Sequence, residues 1–256
     1  MTEVLKNVVL VGETGAGKSS IINMIAGAEY APISNGAVGY TFEHHSYSLP
    51  VYGRSFNFFD TAGLDEGEKG TVERSVAIAK LYKLITQLDG RIDLLMFCMR
   101  GPRIKDATHQ NWKIFHEILC KKQVPTVLVV TGLENIDNMD EWWWDNREKF
   151  EDQGILPDDT ACITAIRGRI IRDGYRAFDD QYEKSQTKIQ NAILNRVLLR
   201  ARPVNKLSFF YELIRSLSSF FQWFMRWEAK EIQEIINTSG MSKEEATRFR
   251  EELGKS

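Results

Sequence analysis

The sequence predicts an α/β fold, a doubly wound and mostly parallel sheet with one antiparallel hairpin strand, followed by a C-terminal helical extension. Three observations carry this. The apolar run Val8-Val9-Leu10-Val11 leads directly into Gly12-Glu13-Thr14-Gly15-Ala16-Gly17-Lys18-Ser19, which spells G-x-x-x-x-G-K-S, and then into a helical stretch from Ser19 to Ile25. Residues 92–99 and 126–130 are nearly continuous apolar runs, as expected of strands buried on both faces of a parallel sheet. Between such runs lie segments of helical period, the pattern of βα crossovers, which places a ligand at the C-terminal ends of the strands.

The G-x-x-x-x-G-K-S segment is a phosphate-binding loop. Its glycines let successive backbone N–H groups turn inward around a phosphate, where a Cβ would block the approach. Lys18 is expected on the β- and γ-phosphates and the Ser19 hydroxyl on Mg²⁺, with Ser20 opening the helix whose positive end faces the same phosphates. Residues 27–40 read as a loop. Residues 41–49 and 55–59 read as two strands joined through 50–54, short enough for an antiparallel hairpin. Residues 71–88 and 106–121 have helical character, and 138–152, with Trp142, Trp143 and Trp144 among charges, reads as a further helix. Residues 161–165 are expected to be the last strand and 181–199 a closing helix.

Composition bounds the partners. The 256 residues suffice for one main domain, placed at 1–203, and an extension at 204–256. With 33 Lys and Arg against 35 Asp and Glu, and the basic residues dispersed, no polyanion-binding surface is expected, and nucleic acid is not an expected partner. Cys98, Cys120 and Cys162 are odd in number and far apart, which argues against a disulfide framework or a zinc site. Residues 1–6 lack the pattern of a secretory signal, so the expectation is a reducing, cytoplasmic setting.

Which nucleotide the loop serves depends on elements further along. Asp60-Thr61-Ala62-Gly63 ends an apolar strand, where the carboxylate can hold Mg²⁺ through water and the Gly63 N–H can contact a γ-phosphate. Thr41 lies just before the hairpin strand, where its hydroxyl would complete the Mg²⁺ shell; the alternative is a plain β-branched strand residue.

Together, residues 12–20 and Asp60-Thr61-Ala62-Gly63-Leu64 resemble a regulatory P-loop GTPase, most closely its septin-like and immunity-associated branch, over roughly residues 6–200. The resemblance implies a G domain that binds GTP and GDP with Mg²⁺ and hydrolyses GTP as a switch. Lys18, Thr41 and Gly63 would act on the γ-phosphate, and Ser19, Thr41 and Asp60 would hold the metal. Residues 12–20, Asp60 and Gly63 would contact the phosphates. The family's base-recognition motif, N/T-K-x-D, falls on Thr131-Gly132-Leu133-Glu134, so the resemblance assigns Thr131 and Glu134 to the base. Two departures stand out: Glu134 replaces the aspartate that accepts two hydrogen bonds from guanine, and Gly132 replaces the lysine whose stem lies along the base. They leave an ATPase open as an alternative. Ile163-Thr164-Ala165-Ile166 resembles the motif whose backbone meets the base oxygen, with Thr164 for serine, although an alanine after an apolar strand is common.

Leu64 stands where Ras-like members have a water-orienting glutamine, and it offers no hydrogen bond, so intrinsic hydrolysis is expected to be slow. Relatives with an apolar residue there complete the site by dimerising through their nucleotide faces or with a partner. Arg54, Arg74 and Arg103, and His44-His45, are candidate suppliers of the missing group, each with a plain surface role as the alternative. A scaffold that dimerises or associates with membrane, with little turnover, is the competing function.

Residues 207–227 hold eight aromatic residues on a helical wheel with Phe210, Leu213, Leu217, Phe221 and Phe224 on one side and Glu212, Arg215, Ser219, Gln222 and Arg226 on the other. Glu212, Arg215 and Arg226 argue against a membrane span. A helix packed on its own domain or on a second copy, and an interfacial helix giving peripheral membrane contact, both remain open. Ser242-Lys243-Glu244-Glu245 offers a capping box in the polar tail.

Overall fold

The computed structural model describes residues 5–29, 45–61, 84, 88, 91–104, 108, 109, 112, 116, 124–197, 233, 236, 237, 243, 246 and 247. The expectations for Thr41, His44, Ala62, Gly63, Leu64, Arg74, Cys120, residues 207–227 and Ser242 and Glu245 of the capping box lie outside the described residues, as do most of the segments at 71–88 and 106–121.

In chain order the elements are β1 (Lys6–Gly12), α1 (Lys18–Ala26), β2 (His45–Val51), β3 (Arg54–Asp60), β4 (Leu94–Arg100), β5 (Thr126–Thr131), α2 (Met139–Asp152), β6 (Asp159–Cys162), β7 (Ile170–Arg172), β8 (Tyr175–Arg176) and α3 (Asp179–Val197). Strands one to six form one sheet in the order β2-β3-β1-β4-β5-β6. All pairs are parallel except β2 with β3. This is the α/β fold with one antiparallel hairpin strand that the sequence predicts.

The continuous apolar strands are explained by the two layers that cover them. Alternate side chains of a strand point to opposite faces. Val8 and Leu10 of β1, Met96 and Cys98 of β4 and Val127 and Val129 of β5 pack with Ile21, Ile22 and Ile25 of α1 and Ile189 and Ile193 of α3. Val9, Val11, Phe97, Met99, Leu128 and Val130 pack on the other face with Trp112, Trp142, Trp143 and Phe150. Ile236 and Ala246, from the C-terminal part of the chain, are buried in that second cluster.

Several boundaries differ from expectation. The β2–β3 hairpin turns on Tyr52-Gly53 alone, both with positive φ (47° and 77°), so the strands run on to the pair Val51↔Arg54. Strand β6 ends at Cys162 rather than 165, because its partner β5 gives way at Gly132, whose φ of 77° leaves the extended region. Thr164 and Ala165 therefore sit on a loop. Nor is β6 the last strand: Asp173-Gly174, with φ of 47° and 85°, closes a small exposed hairpin of β7 and β8. Helix α3 starts at Asp179, where the carboxylate accepts from the Arg176 N–H at 2.8 Å and the Arg167 guanidinium at 2.6 Å. Those two donors hold the Asp179 carboxyl below its ordinary pKa.

Candidate nucleotide-binding site

β1 delivers the phosphate-binding loop to the C-terminal edge of the sheet, between β3 and β4. Gly12 has a φ of 142°, and a Cβ built on it would stand 2.0 Å from the Cys98 carbonyl oxygen of β4. Only glycine lets the chain leave the strand so close to its neighbour. Gly15 and Gly17, with φ of 76° and 88°, supply the left-handed turns of the loop.

Helix α1 begins differently from the other two described helices. Gly17 is its N-cap, with no side-chain cap, and its first turn has no acidic residue. By contrast, the Asn138 side chain caps α2 by accepting from the Asp140 N–H, and Asp140 and Glu141 follow; α3 opens on Asp179 and Asp180. The first turn of α1 thus carries no carboxylate of its own, which leaves its positive end to an outside anion.

The Lys18 ammonium donates to the carbonyls of Gly12 (3.0 Å) and Glu13 (2.9 Å), which holds it over the loop. Ser19 Oγ donates to Asp60 Oδ2 at 2.7 Å. A hydroxyl and a carboxylate converging on one point are the hard oxygen donors that suit Mg²⁺, with phosphate oxygens and water completing the shell. Thr61 fixes the aspartate by donating from its N–H (3.2 Å) and its Oγ1 (2.7 Å) to the Leu10 carbonyl. Beneath the loop, burial pushes the Cys98 thiol up to about 12 against the opposing pull of Lys18, with Asp60 adding to the rise, so it acts as a neutral core group.

A second group of residues gathers at the ends of β5 and β6. Buried Thr131 faces the loop: its one hydroxyl proton is shared between the carbonyls of Ala16 (2.9 Å) and Met99 (3.3 Å). It ties β5 to the phosphate-binding loop, and its hydroxyl is engaged there. Leu133 is buried, and its N–H points to the Ile163 carbonyl at 3.4 Å, drawing the two loops together. Glu134 is half-buried; Thr164 Oγ1 lies 3.4 Å from its Oε2 and 3.2 Å from the Ile166 carbonyl oxygen. The Thr164 N–H donates to Ser185 Oγ at 3.1 Å, and that hydroxyl donates to the Gln181 carbonyl at 2.6 Å.

Residues 7–132 match the family described as 50S ribosome-binding GTPase. The chain contains a P-loop GTPase G domain. GTPase Der of Chlamydia abortus is 26% identical over 199 residues, covering 76% of this chain and 40% of its own length. The tRNA modification GTPase MnmE of Flavobacterium johnsoniae is 30% identical over 141 residues, covering 54% of this chain and 29% of its own length. The chain thus spans less than half the length of these curated relatives. Toc33 from Arabidopsis thaliana, solved with GDP and Mg²⁺, is 20% identical with a TM-score of 0.48, covering 75% of this chain and 85% of that one.

Within the G domain the candidate suppliers of a missing catalytic group separate by position. Arg54 opens β3, whose far end carries Asp60; six residues of strand put it about 20 Å from the site. Arg103 is exposed on the segment after β4, and His45 pairs with Asp60 in the β2–β3 ladder. Ser185 escaped the sequence reading because it belongs to no motif. Its signal was a small hydroxyl residue four positions before Ile189 and eight before Ile193, on the face of α3 that meets the sheet.

Proposed function

We propose that this chain binds GTP with Mg²⁺ and hydrolyses it to GDP and phosphate, working as a switch with slow intrinsic turnover. The observation that supports this best is the joining of the two groups at one sheet edge. Lys18 and the Ser19–Asp60 pair lie on one side, the Glu134–Thr164 pair lies on the other, and Thr131 bridges them through Ala16. In this reading residues 12–20 bind the phosphates, Ser19 and Asp60 hold Mg²⁺, and Glu134, Thr164 and Ala165 meet the base. Thr41 and Gly63 sense the γ-phosphate. Bound Mg²⁺ supplies charge compensation for the phosphates.

A finer placement, in the septin-like and immunity-associated branch, is motivated by residues 12–20 and 60–64. It carries a homodimer through the nucleotide face, with the partner completing what Leu64 leaves out. The remaining expectations, a domain boundary near residue 203, a cytoplasmic setting and peripheral membrane contact through 207–227, belong to the same reading. Single-turnover GTP hydrolysis over a wide range of protein concentration tests the enzyme and the dimer together. A rate above background that rises with concentration is expected. Background hydrolysis at every concentration would remove the switch, and equal equilibrium affinity for GDP and ADP would remove the guanine assignment.

A further inference from the structure

The inference concerns the base end of the site and rests on the nucleotide reading above. Gly132 has a φ of 77°, a conformation that disfavours any side chain, and a Cβ built on it would stand 3.1 Å from Arg100 Cγ, 3.4 Å from Arg100 Nε and 3.3 Å from the Gly101 carbonyl oxygen. The space over position 132 is therefore filled from the neighbouring strand. β4 and β5 are in register at Arg100↔Thr131, so the arginine leaves β4 beside the residue that braces the phosphate-binding loop. The approach is held close by the next glycine along: a Cβ on Gly101 would stand 2.8 Å from Leu133 Cδ2.

Arg100 is exposed and, among the described residues, its side chain makes no hydrogen bond or ion pair. Two residues past Gly132 in the chain stands Glu134, a half-buried carboxylate with one long hydrogen bond. A planar guanidinium on an apolar stem that lies over Gly132, unpaired at its head, offers a face to an aromatic ring. A carboxylate offers acceptors in the plane of one.

We propose that Arg100 covers one face of the bound purine ring, contributing from β4 the stacking surface that Gly132 cannot contribute from β5. The two residues then divide the work. Arg100 holds any purine by its face, and Glu134 chooses among purines by their edge.

The test is equilibrium binding of GDP, inosine diphosphate, ADP and pyrophosphate, each with Mg²⁺, to the full chain and to its R100A and R100K variants. Both substitutions are expected to weaken all three purine diphosphates by about tenfold and to leave pyrophosphate unchanged, which also reports that the variants are folded. Diphosphate affinity unchanged in R100A would overturn the inference. Full affinity in R100K would overturn it too, because charge without a plane would then suffice. An equal loss of pyrophosphate binding would place Arg100 on the phosphates and overturn it as well. A different result, pyrophosphate bound by the unsubstituted chain but no purine diphosphate, would sink the nucleotide reading itself and the inference with it.

Discussion

The phosphate end and the base end of this site lie on the same sheet edge and are built in opposite ways. The phosphate end is made of one contiguous segment, residues 12–19, plus Asp60, and its functional atoms are largely backbone N–H groups aimed by glycine. The proposed base end is assembled from three separate segments, Arg100-Gly101 at the end of β4, Thr131–Glu134 at the end of β5 and Ile163–Ile166 after β6, and Arg100 and Glu134 would act there through their side chains. Backbone geometry tolerates almost no substitution, whereas a side-chain site can be rebuilt from a neighbouring strand. The chain keeps the loop intact and departs from the family at Gly132 and Glu134, as that difference leads one to expect.

The sharpest way to break the phosphate end is Gly12→Ala. With a Cβ 2.0 Å from the Cys98 carbonyl and φ at 142°, β1 and β4 must separate, and the expected loss is above about 4 kcal/mol, read as failure to fold or a collapsed urea midpoint. A stable Gly12→Ala protein would deny that backbone alone defines this end. At the base end, Glu134→Gln should leave the fold intact and weaken GDP by about ten- to a hundredfold while ADP changes little, because charged acceptors are worth about 1.5–3 kcal/mol. The comparison of the two nucleotides by calorimetry checks it.

Thr131→Val probes the link between the ends. It removes the only described side-chain donor to the Ala16 and Met99 carbonyls at nearly constant volume, and about 1–3 kcal/mol of stability should go with it. Denaturant titration gives that loss. Nucleotide binding should weaken for GDP and pyrophosphate alike, since the loop itself is loosened.

The smallest effect concerns the thiols beneath the two ends. Burial raises both Cys98 and Cys162 to about 12. A folded pKa above the unfolded value of about 8.5 means their contribution to stability is complete below that pH and declines as pH rises toward 12. Peptide mapping after alkylation at pH 8 should find both unmodified in the native protein and labelled in urea.

The phosphate end could be read from residues 8–25 because strand, loop, Lys-Ser pair and helix follow one another without a gap. The hairpin at Asp173-Gly174 is equally local, yet the exposed Ile170, Ile171 and Tyr175 around it mark no core, so no strand is legible there from the sequence. The end of β6 was misplaced because an apolar run continues through Ile163 while its pairing partner does not. The resemblance assigns Thr131 to the base, and no local pattern reveals that its hydroxyl also donates to the Ala16 carbonyl, a partner 115 residues away.

By itself, then, the sequence determined the sheet's apolar strands, the loop and the Lys18, Ser19 and Asp60 set, since each follows from residues adjacent in the chain or from strand periodicity. Only the tertiary structure decided that Gly132 lies under Arg100, that Thr164 meets Glu134 and that Ser185 holds the Thr164 N–H. Those contacts depend on strand register and on where each strand ends, and both are fixed by how the whole sheet packs between its two helical layers.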